Sequence, residues 1–196
     1  MAIEKPAYTV LEHHPDFEVR EYGSYIVAET EVEGDQASAG NEAFSRLAGF
    51  IFGKNRAGKE RTSMIAPVSE VANHRTRIAM TAPVTQVSTG QRNWRVQFMM
   101  PSGYTLETLP EPTDGRVSLR ALPARRFAAI RYSGTWSSGN YDRHLAQLRT
   151  ALAEAGMASS GEPVWARYDP PFKPWFLRRN EVVQDVTRAP RQGPGG

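Results

Sequence analysis

The chain has 196 residues, 40% of them hydrophobic and 23% charged, an ordinary globular composition that one domain accommodates. It contains no cysteine, which excludes disulfides, thiolate metal sites, iron–sulfur clusters and cofactors attached through thiols. Its 24 basic and 21 acidic side chains leave a net charge of +3, a bias toward small anionic ligands and too slight for a nucleic-acid interface.

In chain order, "MAIEKPAYTV" has no apolar core behind a basic start, so no signal peptide is expected and the cytoplasm is the default location. No stretch approaches the ~18 apolar residues of a membrane span. Strands are predicted at "YTVLE" (8–12), "FEVREY" (17–22) and "YIVAETEV" (25–32). A helix follows over 35–52, with Ala43, Phe44, Leu47, Ala48 and Ile51 on one face, Asp35 or Ser38 as cap and Gly53 as stop. Lys54, Arg56, Lys59 and Arg61 then cluster within eight residues.

The next stretch writes Met-x-Ala-Pro-Val twice, at Met64–Val68 and Met80–Val84, with His74 between the copies. Both runs fit strands, confined by their prolines to an edge or a bulge. Further strands are predicted at "WRVQFMM" (94–100), "RVSLRAL" (116–122) and "RFAAIRY" (126–132). In the first of these Trp94, Val96, Phe98 and Met100 face inward. A second helix spans 138–155, with Tyr141, Leu145, Leu148, Leu152 and Ala155 inward, Ser137 or Ser138 as cap and Gly156 as stop. Strands at "PVWARYD" (163–169) and "EVVQDV" (181–186) precede "APRQGPGG", a tail predicted to be disordered.

Strand 25–32, helix 35–52 and strands near 78–87 and 94–100 form a βαββ series. Strand 126–132, helix 138–155 and the strands at 163–169 and 181–186 form another. The predicted class is therefore α+β, a curved antiparallel sheet carrying two outer helices, with a ligand cleft between pseudo-symmetric halves of one domain over residues 1–188.

Several stretches together resemble the SOUL/haem-binding protein family: "FEVREYG" (17–23), "GKN" (53–55), "IAMTAPV" (78–84), "FMMPSGYTLETLPEP" (98–112) and "ARYDPPFKPWFLRRNEV" (166–182). The resemblance implies duplicated βαββ units in a distorted antiparallel β-barrel, similar to bacterial effector-binding domains. It also implies non-covalent binding of haem or a related tetrapyrrole in an open apolar groove near the first helix and the loop after it. The family pattern runs almost directly from "GKN" to "MTAPV", so "ERTSMIAPVSEVANHR" is an insert here, and the first Met-x-Ala-Pro-Val lies within it.

A haem asks for a flat apolar surface, cations for its propionates and, optionally, a histidine, methionine or tyrosine on iron. The candidate ligand-binding residues are Phe52, Lys54, Arg56, Met64, His74 and Met80, with His74 the candidate for the metal. The ordinary alternatives are a solvated basic loop and, for Phe44 and Leu47, plain helix core. Some animal members of the family carry a proposed iron-binding histidine where this chain has Glu21, which follows Phe17 and Val19 on one strand face and is expected inward. His13 and His14 precede Pro15 in an exposed turn, and His144 flanks the second helix's apolar face, where histidines are usually structural. The insert is expected to form an extra strand or flap beside "IAMTAPV", with Met64 and Met80 on a shared apolar surface.

No nucleophile elbow, metalloprotease motif, P-loop or dinucleotide fingerprint is present. The leading expectation is a haem or tetrapyrrole buffer or carrier. The rivals are a sensor for amphiphilic cations, with Glu21 or Glu181 as counter-charge, and a tetrapyrrole-modifying enzyme using an acidic cleft residue. For Glu181 the ordinary expectation is an ion pair with Arg178 or Arg179.

Overall fold

The computed structural model describes residues 3–56, 76–170 and 172–188. Among these, the elements in chain order are β1 (Tyr8–His13), β2 (Glu18–Tyr22), β3 (Tyr25–Glu33), α1 (Gln36–Ile51), β4 (Asn55–Arg56), β5 (Val84–Gly90), β6 (Asn93–Met99), β7 (Glu111–Pro112), β8 (Ser118–Leu122), β9 (Arg125–Tyr132), α2 (Ser138–Glu154), β10 (Met157–Arg167) and β11 (Asn180–Arg188). The chain divides into two compact units: residues 1–6 with 24–123, and residues 7–23 with 124–196.

The first unit orders its strands β5-β6-β3-β8, and the second orders its own β1-β2-β9-β11-β10, every neighbouring pair antiparallel. Without β1, the second series read from its far end is β10-β11-β9-β2, which matches the first strand for strand. Each unit thus holds one strand–helix–strand–strand series with its helix between the first and second strands, and the α+β duplication expected from the sequence is present. A short β4–β7 pair completes the first unit.

In the first unit α1 starts at Asp35, whose carboxylate accepts the Ser38 N–H at 3.0 Å and the Ser38 hydroxyl at 2.6 Å. Ala39, Ala43, Leu47, Phe50 and Ile51 are buried against Ala28 and Val32 of β3 and Val96 and Phe98 of β6. Phe44, expected in the core, is instead 38% exposed, its ring 5.4 Å from Phe98. At 100° per residue it lies on the margin of the buried stripe, and Phe50 takes the core position. Gly53 ends the turn at φ 111°, a conformation that favours glycine.

In the second unit the Ser137 side chain accepts the Asn140 N–H and caps α2. Tyr141, Leu148 and Leu152 pack with Ala128, Ile130, Trp165 and Val182, assisted by the half-buried Leu145 and Ala151. Ala155 lies past the helix end and is exposed, correcting its place on the predicted face.

The second Met-x-Ala-Pro-Val run is not a strand. Residues 76–83 are irregular apart from a parallel bridge between Thr81 and Glu4, and β5 begins only at Val84. Pro83 has no N–H for a ladder, its peptide bond with Ala82 is cis, and the Ala82 N–H goes to the Glu4 carbonyl at 2.9 Å. The period-two face expected for Met80, Ala82 and Val84 is therefore lost. Met80 is 43% exposed while Ala82 is buried. The first copy, the proposed flap and the tail at 189–196 lie outside the described residues.

Candidate functional site

The C-terminal end of α1 gathers the described candidates in the first unit. Phe44, Ala48 and Phe52 recur every four residues and form one stripe along the helix, which the Phe52 N–H extends by donating to the Ala48 carbonyl at 2.9 Å. Eight residues at 1.5 Å each make that stripe about 12 Å long. Its floor is small at Ala48 and its two ends are aromatic, with Phe52 53% exposed. The shape is a shelf rather than a core contact.

The backbone then brings charge to this shelf. The Lys54 N–H donates to the Gly49 carbonyl at 2.8 Å, and the Lys54 carbonyl accepts the Thr113 N–H and hydroxyl at 3.2 and 2.8 Å. A Cβ on Gly49 would stand 3.1 Å from Lys54 Cδ, so the glycine leaves room for the lysine's alkyl chain against the helix. Asn55, buried, acts as a clamp. Its Nδ2 donates to the Phe50 carbonyl at 2.8 Å and the Thr76 carbonyl at 2.7 Å, and its Oδ1 accepts the Thr76 N–H at 3.0 Å. The Ile78 N–H adds a bond to the Ile51 carbonyl at 2.9 Å. Segment 76–80 is thereby tied to the helix end, and the Arg77 guanidinium stands 5.9 Å over the Phe52 ring.

Of the sequence-predicted site residues, Phe52 and Lys54 lie at this end of α1, Arg56 follows on β4 opposite Glu111, and Met80 stands two residues beyond the Ile78 bond to Ile51. Lys54 and Arg56 are exposed and, like Arg77, make no ion pair among the described residues. In the same unit Arg46, Arg95, Arg116 and Arg120 are each matched by a carboxylate. Met64, His74, Lys59 and Arg61 lie outside the described residues. Sequence reasoning missed Arg77 and the clamp of Asn55. The signals were present: Asn55 ends "GKN", and Arg77 stands just ahead of "IAMTAPV".

An aromatic-ended shelf beside three cations fits a flat apolar ring system with carboxylate arms. The described residues of the first unit include no histidine, and the exposed thioether among them is Met80. These residues fit the ring face and the propionates; no described imidazole of this unit is offered to iron.

The acidic candidates of the second unit are committed elsewhere. Glu21 is exposed rather than inward and accepts from Arg126 at 2.9 Å. The inward positions of β2 are Val19, Arg20 and Tyr22, so the face expected from Phe17 and Val19 does not carry through. Glu181 is fully buried. Its Oε2 accepts from Arg20 Nη1 at 2.8 Å and the Tyr168 hydroxyl at 3.0 Å; its Oε1 accepts from Arg179 at 2.7 and 3.0 Å and from Arg20 Nη2 at 3.3 Å. The expected pairing with Arg179 is found, joined by Arg20. Burial works against the Arg20 charge, yet the hydrogen bonds and attraction to Glu181 carry its pKa above the usual arginine range. Burial, and next the Glu181 charge, push the Tyr168 phenol far above the ordinary tyrosine value. With both carboxylate oxygens occupied, Glu181 is a structural anion.

The described histidines also lie in the second unit. His13 is exposed, as expected, whereas His14 is half-buried and stacks on Phe17 at 4.3 Å. His144 stacks on Tyr132 at 4.0 Å, and its Nδ1 lies 2.7 Å from the Asn140 carbonyl, the structural role expected of it.

No helix among the described residues is long and apolar enough to cross a membrane. The fold is shared with the C-terminal domain of EcmrR (TM-score 0.60, 11% identity, 93% of this chain and 99% of that one). It is shared too with a structure described as a hydrolase from Listeria innocua (TM-score 0.57, 10% identity, 90% and 94%). Sequence likeness is stronger to Heme-binding protein 1 of Xenopus tropicalis, 32% identical over 171 residues and covering 85% of this chain and 81% of the relative. The Xenopus laevis protein of that name is 30% identical over 175 residues, with the same coverage. The family model described as SOUL heme-binding protein matches residues 3–185, nearly the whole chain, and the protein belongs to the SOUL heme-binding family.

Proposed function

We propose that this chain is a cytoplasmic, non-covalent binder of haem or a related tetrapyrrole that buffers or carries its ligand without transforming it. The observation carrying this reading is the Phe44–Ala48–Phe52 stripe flanked by Lys54, Arg56 and Arg77, three cations with no carboxylate partner among the described residues. The names of the Xenopus relatives and of the family support the choice of ligand. One face of the ring lies on the stripe and leaves water, at about 25 cal/mol per Å² of apolar surface. Lys54, Arg56 and Arg77 take the propionates by charge-assisted hydrogen bonds. The Phe52 ring carries the Arg77 guanidinium and holds it near the shelf. When bound, haem supplies the iron and the visible absorption by which binding is followed. Met80, and His74 and Met64 from the segment outside the described residues, are the side chains proposed to approach iron. The same reading treats residues 1–188 as a single domain of two βαββ halves. Glu181, saturated by Arg20, Arg179 and Tyr168, gives the cation-sensor and enzymatic readings no support.

The test is titration with hemin, and in parallel with iron-free protoporphyrin, followed by absorbance. The wild type saturates with both. Changing Lys54, Arg56 and Arg77 together to serine lowers affinity by about 10- to 100-fold at low salt and by less at high salt, since screening weakens what was removed. Equal affinity of wild type and triple variant would overturn the site. Absence of saturable binding to either macrocycle would overturn the function.

A further inference from the structure

The second unit displays a cluster that haem binding does not use. Between β10 and β11 the chain reads "FKPWFLRR" from Phe172 to Arg179, and four large apolar side chains within six residues face solvent. Phe172 is 87% exposed, and Trp175, Phe176 and Leu177 are 57%, 57% and 58% exposed. Such a run is normally turned inward, since burying apolar side chains of this size is favourable. Here the backbone beneath it is braced. The Gly134 N–H donates to the Trp175 carbonyl at 3.1 Å, and Arg178 Nε donates to the Lys173 carbonyl at 2.7 Å. The Arg179 N–H donates to the Asp169 carboxylate at 2.6 Å, and Trp175–Leu177 form one 3₁₀ turn. The Arg178 guanidinium lies 4.6 Å over the Trp136 ring. The turn is held in place with its apolar side chains outward.

The base of this tip is cationic. Residues 167–181 carry Arg167, Lys173, Arg178 and Arg179 against Asp169 and Glu181, with Lys173 paired to Asp169 at 2.8 Å and Arg179 to Glu181 at 2.7 Å, which leaves a net charge of +2. A short tip of tryptophan, two phenylalanines and a leucine over a positive base has the chemistry of an interfacial membrane anchor. Aromatic side chains prefer the headgroup level, and nearby cations add attraction to anionic lipid. Four outward side chains on one short turn present neither a helix face nor a strand edge of the kind peptide-type partners use, and suit a deformable lipid interface.

We infer that the Phe172–Leu177 tip docks the protein reversibly on the surface of an anionic lipid bilayer, without spanning it. This inference stands apart from the proposed haem site, whose described residues belong to the other unit.

Flotation with vesicles of phosphatidylcholine alone, or of phosphatidylcholine with phosphatidylserine, tests it on the full chain. The wild type is expected to float with the anionic vesicles, to release as salt is raised, and to show quenching of its tryptophan emission by brominated lipid. Changing Phe172, Trp175, Phe176 and Leu177 to serine should lower partitioning by at least about 100-fold, while circular dichroism matches the wild type because the four side chains are mostly in water already. Trp175→Phe should retain most of the flotation and lose the quenching, which places the tip itself in the interface. Equal flotation of the quadruple variant, or equal binding to neutral and anionic vesicles, overturns the inference. So does self-association of the wild type that the same four substitutions abolish, with no flotation.

Discussion

Asn55→Ala tests how the candidate site is held together. The substitution removes three hydrogen bonds at once, two donated to the Phe50 and Thr76 carbonyls and one accepted from the Thr76 N–H. At about 1 kcal/mol net for each, the loss is about 2–3 kcal/mol, held to the lower half by water reaching the freed Thr76 groups. With a urea dependence near 2 kcal/mol per molar, the unfolding midpoint of the variant falls by about 1 M. Asn55→Asp should be worse than alanine, because it keeps the acceptor for Thr76 N–H yet places a carboxylate against two carbonyl oxygens. Function should follow. Asn55 fixes Thr76, the residue before Arg77, and Arg77 stands over Phe52. Releasing that segment lowers hemin affinity by about 3- to 10-fold, although the binding reading assigns Asn55 no contact with the ligand. Urea denaturation followed by circular dichroism measures the first effect and a hemin titration the second. An alanine variant with wild-type midpoint and wild-type affinity would refute the clamp, and an Asn55→Asp variant as stable as wild type would refute its donor geometry.

Arg20→Met leaves the buried Glu181 with only Arg179 and Tyr168 as partners, and should destabilise the protein by about 3–5 kcal/mol in urea. Adding Glu181→Met to that variant should recover part of the loss, and strict additivity in the double-mutant cycle would argue against a shared network. Burial pushes the Tyr22 and Tyr132 phenols up to about 12 each, so the folded state keeps protons that the unfolded chain gives up near pH 10. The stability is complete below pH 10 and is lost as pH rises from there through about 12; urea midpoints that stay flat from pH 9 to 11 would contradict that sign.

Helices, most strands and the duplicated series were legible in the sequence because each rests on local rules. The 3.6-residue period of 35–52 and 138–155, Asp35 and Ser137 as caps, and glycines at 53 and 156 all depend on neighbours within a turn or two. The alternation of Trp94 to Met100 likewise set which face of β6 would be buried. The five ordered motifs, spread over nearly the whole chain, were enough to anticipate the family. What the sequence alone did not decide is where partners come from far along the chain. Phe44 read as core, and the way α1 seats Ala43, Leu47 and Phe50 on β3 and β6 left it on the margin of the buried stripe. Glu21 read as inward from strand period, while the carboxylate that is buried, Glu181, is held by Arg20 across 161 residues. Met80–Val84 matched a strand pattern, yet strand formation requires ladder partners, and there Glu4, Met99 and a proline lacking its N–H decided otherwise. Arg77 shows the same division: its type and position were plain in the chain, but its place over Phe52 depends on Asn55 reaching Thr76, 21 residues away. Periodicity is a property of neighbours, whereas a buried charge or a ligand shelf is settled by which distant groups fill the remaining hydrogen bonds and volume.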